Sequence, residues 1–151
     1  MIGDIFRIDQ IKVKKLKPHA IVPRRTTAGA SGFDLFACID EGSLVLGKAP
    51  QLVGTGIAIE FSGGIDVQVR PRSGLSLKGV GVTLGTIDCD YRGEIMITMY
   101  LFGDQSNFTV NHGDRIGQLV VTKLADVELQ MVEELTLTER GEGGHGSTGL
   151  R

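Results

Sequence analysis

Apolar residues in this chain recur at every second position, and glycine-bearing turns break each run before it grows long. In Ile65-Asp66-Val67-Gln68-Val69-Arg70 the apolar side chains take alternate positions, so an extended backbone sends them to one face and the polar ones to the other. Ile57, Ile59 and Phe61 repeat the pattern, as do Val127, Leu129 and Met131 against Glu128 and Gln130. The stretch 94–102 (EIMITMYLF) is apolar on both faces, which predicts a strand covered on two sides, inside a core or at a subunit interface. Residues 108–110 and 116–124 predict two further strands across Asn111-His112-Gly113-Asp114. With turn signals at 29–32, 40–42, Gly63-Gly64, Gly103-Asp104 and His112-Gly113, the expected architecture is all-β, a jelly-roll-like antiparallel barrel or sandwich. Only 73–78 suits a helix, opened by Ser73 and closed by Gly79.

At 151 residues the chain fits one domain with a real core, and 41% apolar against 23% charged residues excludes a disordered class. The net charge of −2 argues against a nucleic-acid-coating surface, so any phosphate site has to be local. The beginning, 1–10, carries Asp4, Arg7 and Asp9 and has no continuous apolar run, so it does not read as a signal peptide. No stretch approaches membrane-spanning length, and the expected compartment is reducing and aqueous, the cytoplasm. Cys38 and Cys89 form no CxxC pair and are expected to be two buried thiols. His19, His112 and His145 lack metal-ligand spacing, which predicts no zinc site.

Three elements carry chemistry. In Arg70-Pro71-Arg72-Ser73-Gly74-Leu75, guanidinium groups, a hydroxyl and glycine-exposed backbone precede the helix start, a set of donors suited to anionic oxygens. In Gly85-Thr86-Ile87-Asp88-Cys89-Asp90-Tyr91-Arg92-Gly93 two carboxylates share one tight turn; Asp90 can bond its own backbone, leaving Asp88 to face a cleft, and Tyr91 offers a flat ring for a sugar. Taken singly, each element is an ordinary serine-capped strand end or acidic turn. The third, Arg140-Gly141-Glu142-Gly143-Gly144-His145-Gly146-Ser147-Thr148-Gly149, has a guanidinium, a planar ring and two hydroxyls on a chain of glycines whose only core-forming neighbour is Leu150. It predicts a mobile arm over 140–151 that follows a folded body over 1–139. Asp34, after Gly32-Phe33, is placed to orient arginines or a metal-bound water, Asp114 and Arg115 look like a structural ion pair, and Gln118 could donate to phosphate. No lysine follows the arm's glycines, so it is not a Walker loop, and Gly79, Gly81 and Gly85 do not match Rossmann spacing. A local polyphosphate site beside a candidate base points to a nucleotide hydrolase.

These elements, in this order, resemble the homotrimeric dUTPase family. The resemblance runs from about residue 20 to 149, through Ala30-Ser31-Gly32-Phe33-Asp34-Leu35, Pro71-Arg72-Ser73-Gly74-Leu75, the 85–93 hairpin, Gly113-Asp114-Arg115-Ile116-Gly117-Gln118-Leu119 and the arm. It implies a jelly-roll trimer with three sites, each drawing on all three subunits. It also implies hydrolysis of dUTP to dUMP and pyrophosphate with Mg²⁺ on the triphosphate, which limits uracil in DNA and supplies dUMP for dTMP synthesis. Carried onto this sequence, Asp88 holds the 3′-hydroxyl and activates the attacking water, and Tyr91 packs under the deoxyribose. The backbone over 82–85, from Val82 to Gly85, reads uracil, with Thr86 and Ile87 beside it. Arg72, Ser73, Gly74, Gln118, Arg140, Gly146, Ser147 and Thr148 hold phosphates, His145 stacks on the base, and Asp34 orders the arginines and a metal-bound water.

Two positions depart from the family's common pattern. The arm carries His145 where phenylalanine is usual, a planar ring still able to stack, and Val82-Thr83-Leu84 stands where some relatives place an asparagine near the base. A dCTP deaminase shares fold and ligand but needs a glutamate at the pyrimidine C4, and this hairpin offers Asp88 and Tyr91 instead. A non-catalytic nucleotide-binding trimer would keep the arginines and could lose the base; Asp88 and the complete arm weigh against it.

Overall fold

Alternation resolves into strands wherever a partner edge lies within reach. The computed structural model describes residues 9–149, and among them are eleven strands and one short helix. In chain order the strands are β1 (Lys12–Lys15), β2 (Gly32–Phe36), β3 (Ser43–Leu46), β4 (Gln51–Gly54), β5 (Ile57–Glu60) and β6 (Ile65–Arg70). After helix α1 (Ser73–Leu77) come β7 (Val80–Val82), β8 (Gly85–Ile87), β9 (Met96–Leu101), β10 (Phe108–Asn111) and β11 (Arg115–Lys123). They form four antiparallel sheets: β2-β11-β6-β8, β4-β9-β7, β3-β10 and β1-β5. The sheets do not close on themselves, so the all-β, jelly-roll expectation is met by a sandwich rather than a sealed barrel.

The core follows from the pattern. Ile65, Val67 and Val69 of β6 are buried while Asp66 and Gln68 are not. Ile97, Met99 and Leu101 of β9 join them, with Leu35, Leu46, Ile57, Val80, Val110 and Ile116 in one cluster. Packing is tight enough to dictate a glycine: at Gly56, φ is +67°, and a Cβ would lie 2.7 Å from the Cys38 sulfur and 2.8 Å from the Ala20 Cβ.

Four expectations are corrected. Val127, Leu129 and Met131 form no strand; they are 74%, 95% and 99% exposed, because the chain supplies neither a partner edge nor a covering layer there. β9 is covered on one face only, with Met96 partly exposed and Tyr100 half-buried on the other, and Phe102 just beyond its end is exposed. Cys38 is buried, and burial pushes its thiol up, but Cys89 is exposed because it sits on the turn beyond β8. At α1 the N-cap is Arg72 rather than a serine; Ser73 is the first helical residue, so its hydroxyl is not spent on the cap.

Candidate active site

The phosphate-binding candidates meet through strand register. β11 lies between β2 and β6, so Gln118 faces Asp34 on one side and Arg70 on the other. The Gln118 amide donates to the Pro71 carbonyl at 3.0 Å, and a Cβ at Gly32 would run into its side chain, 3.2 Å from its Cβ. Asp34, 14% exposed, accepts from the Thr26 hydroxyl and lies 3.4 Å from the Arg72 guanidinium and 3.7 Å from that of Arg115. Arg72 also donates to the Arg115 carbonyl at 3.1 Å. One half-buried carboxylate thus holds two guanidinium groups side by side with their outer N–H groups left for an anion. Ser73 and Gly74 are exposed next to them, and a Cβ at Gly74 would meet nothing within 4 Å.

Arg115 was not among the site residues read from the sequence, where it paired with Asp114. Asp114 instead accepts the Asn111 amide at 2.8 Å and closes its own turn. The signal was available: neighbours on an extended chain point to opposite faces, so residues 114 and 115 make a poor ion pair.

The hairpin builds the second cluster. Asp88 follows β8 directly and is exposed, at the mouth of a 230 Å³ pocket walled by Val69, Gly85, Thr86, Tyr91 and Met96. The turn is closed by the Tyr91 amide donating to the Asp88 carbonyl at 3.1 Å. Tyr91 donates its hydroxyl to the Glu94 carbonyl at 2.9 Å, and Gly93 makes room for that ring, whose Cζ would lie 2.6 Å from any Cβ there. Val82 and Ile87 are buried, so only their backbone faces a ligand; Thr86 is exposed and Gly85 half-buried. β8 is an edge strand, and its outer backbone groups face away from β6.

The two clusters do not meet. β8 pairs with β6 in a register that sets Ile87 against Val67, so Asp88 lies level with Asp66. Arg72 lies beyond the other end of β6, six residues on, about 20 Å away at a strand's rise of about 3.3 Å per residue. The arm joins neither cluster. Residues 140–149 form consecutive turns whose hydrogen bonds stay within 138–149: the Gly143 amide to the Arg140 carbonyl at 3.0 Å, Arg140 Nε to the Gly143 carbonyl at 2.7 Å, and the Ser147 amide to the Gly144 carbonyl at 3.0 Å. Arg140, His145, Gly146, Ser147 and Thr148 are exposed, and His145 has φ of +50°. Leu150 lies outside the described residues.

The family model for dUTPase matches residues 18–149, which takes in both clusters and the arm. The chain is a member of the dUTPase family. Among its relatives is the deoxyuridine 5′-triphosphate nucleotidohydrolase of Helicobacter hepaticus, 48% identical over 143 residues that cover 93% of this chain and 89% of that protein. The dUTPase of Staphylococcus bacteriophage 80alpha, solved with dUPNHPP, superposes with a TM-score of 0.82 at 26% identity over 93% of this chain and 99% of that one. The dUTPase of phage phi11 of S. aureus, whose structure describes coordination of a structural Mg(II) ion, has the same fold, with a TM-score of 0.73 at 24% identity over 83% of this chain and 97% of that one. Among the described residues of this family member, no helix is long and apolar enough to cross a membrane.

Proposed function

We propose that this chain hydrolyses dUTP to dUMP and pyrophosphate in sites assembled between copies of itself. The observation that carries the proposal is the separation along β6 of a candidate base, Asp88, from the paired guanidinium groups of Arg72 and Arg115. A base has to lie within hydrogen-bond reach of the water it activates, and the arginines have to touch the same triphosphate. About 20 Å within one chain forbids both at once, so the hairpin of one copy works with the arginines of another. Three copies, as the family resemblance implies, let each site take Asp88 and Tyr91 from one, Arg72, Ser73, Gly74, Arg115 and Gln118 from a second, and the arm over 140–149 from whichever can reach. The exposed apolar residues of 127–137 and the half-covered face of β9 supply surface for such contacts.

In each site uracil enters beside the edge strand β8, where fixed backbone donors and acceptors over 82–87 read its edge and Tyr91 fills the space under the sugar. Asp88 takes a proton from water as its oxygen attacks the α-phosphorus. The bond from that phosphorus to the bridging oxygen breaks, and pyrophosphate carries off the electron pair. Arg72, Arg115 and Arg140, with the hydroxyls of Ser73, Ser147 and Thr148, balance the charge that develops on the phosphate oxygens.

The donor set also fits Mg²⁺. Thr26 and two guanidinium groups already engage the Asp34 oxygens, so the ion would rest mainly on phosphate oxygens and waters, with Asp34 in contact through water. When bound, it supplies charge neutralisation and alignment of the triphosphate. The arm orders when Arg140, Ser147 and Thr148 reach phosphate and His145 stacks on uracil. The test is pyrophosphate release from the four dNTPs, dUTP and UTP, with and without Mg²⁺. Selective, Mg²⁺-stimulated release from dUTP is expected; release of orthophosphate, or equal turnover of UTP, contradicts the proposal.

A further inference from the structure

A second cluster, remote in sequence, gathers at the turn that precedes β11. His19, Cys38 and His112 bring one ligand atom each to within 4.8 Å of one another, although their spacing in sequence gave no sign of it. The rings of His19 and His112 meet edge to face with centroids 5.3 Å apart. We infer that these three residues form a binding site for a thiophilic first-row transition metal, zinc(II) by preference.

The framework is held by backbone. The Gly113 amide donates to the Ala37 carbonyl and the Ala37 amide to the Asp114 carbonyl, each at 2.8 Å, which clamps the His112 turn against the Cys38 segment. The Cys38 amide donates to the Gly54 carbonyl at 2.8 Å, and Gly56 and Ala20 leave the sulfur little other room. His19 sits on a turn closed by the Ala20 amide and the Lys17 carbonyl at 3.1 Å. Its Nε2 lies 2.9 Å from an Asp40 carboxylate oxygen, and Lys17 holds the other oxygen at 2.7 Å. An imidazole that donates one N–H to a carboxylate presents its other nitrogen, Nδ1, to a metal, the usual support for a metal-bound histidine.

Two nitrogens and a sulfur suit zinc or copper(I), whereas Mg²⁺ takes oxygen, so the ligand differs from the ion on the triphosphate. Tetrahedral zinc, with bonds of about 2.0–2.1 Å to nitrogen and about 2.3 Å to sulfur, sets its donors about 3.3–3.7 Å apart, so the three groups have to close by about an ångström. The thiol releases its proton to solvent as the metal–sulfur bond forms, and water takes the fourth position. His112 Nδ1 accepts the Ile39 amide at 3.3 Å, a long bond that has to yield, which makes the site weaker than a closed four-ligand one. Occupied, it would tie the segment after β1, the end of β2 and the β10–β11 turn together.

The probe is cobalt(II), then zinc, added to the untagged full chain. Expected are one ion per chain, a thiolate charge-transfer band and the d–d bands of tetrahedral cobalt, displaced by zinc and unmoved by millimolar Mg²⁺. Cys38→Ser should abolish the charge-transfer band and Cys89→Ser should keep it. Asp40→Asn should weaken zinc about 10–100-fold, as loss of a supporting carboxylate does elsewhere. If Cys38→Ser does not fold, His19→Asn decides, since that exposed side chain can be changed without touching the core; zinc affinity should fall at least as far. A missing thiolate band, a band that survives Cys38→Ser, or unchanged affinity in His19→Asn overturns the inference.

Discussion

Asp34 draws two guanidinium groups to itself because β11 sets Gln118 opposite it and Arg115 at the end of the same pairing. At this scale the functional groups separate by what their loss removes. Asp88→Asn keeps the shape of the hairpin but no longer takes a proton, so turnover should fall by about 10²–10⁴ while binding of an unhydrolysable dUTP analogue persists. Single-turnover kinetics beside calorimetric titration would check the split. Arg115→Ala removes an exposed pair partner worth little to stability but a charge-assisted contact to phosphate, which is worth more. KM should rise by about 10–100-fold with Tm nearly unchanged; a large fall in Tm with an unchanged KM would make Arg115 structural. Asp88, Tyr91 and Arg72 were legible as residue types in short motifs. Arg115 was misread because an adjacent acid is close in sequence but points away on a strand. His19, Cys38 and His112 were illegible, since only the tertiary fold brings residues so far apart to one place.

Elements show the same division between local and distant causes. β6, β10 and β11 were legible because alternation with turn residues at both ends is a local signal. β1, β2, β3 and β4 had no comparable signal; they are short, and their pairing with distant strands makes them strands. Val127, Leu129 and Met131 alternate as well as any segment, yet pair with nothing among the described residues. Across β1 and β5, Lys12 stands opposite Glu60, with a contact of 2.8 Å. The hydrogen bond from Lys12 holds the Glu60 carboxyl below its ordinary value of 4.5, with Lys12 and Arg92 charges adding to it. Its contribution to stability is therefore present above pH 4.5 and lost as pH falls through the lowered value. Glu60→Gln should lower Tm slightly near neutral pH and leave it equal to the parent in strong acid; a difference that persists in strong acid would refute the pair as its cause. The arm is an element of another kind. Ordering its glycine-rich backbone costs roughly 1–2 kcal/mol per residue, which contacts to a triphosphate have to offset. Truncation after Thr138 should leave folding and assembly intact and abolish most turnover, and an unhydrolysable analogue should slow proteolysis near Arg140; equal cleavage with and without it would mean the arm is not a lid.

For the whole molecule, the decisive geometry is the length of β6. It places Asp88 at one end and Arg72 at the other, and no side-chain rotation closes about 20 Å. A single copy therefore holds two half-sites, and only assembly joins them. The apolar side chains that one chain leaves open between 127 and 137 become intelligible on this scale, as surface for another copy. The number of copies was readable only from the family resemblance. That the site is shared follows from register, which the sequence did not disclose because pairing between β6 and β8 is set by the fold. The most direct test mixes two chains that are each inactive, Asp88→Asn and Arg72→Ala, by unfolding and refolding them together. If base and arginine come from different copies, random mixing gives about one quarter of the sites both intact groups, and dUTP hydrolysis returns to about that fraction of the parent rate. If they come from one copy, every site keeps one defect, and a mixture as inactive as its components would contradict the account.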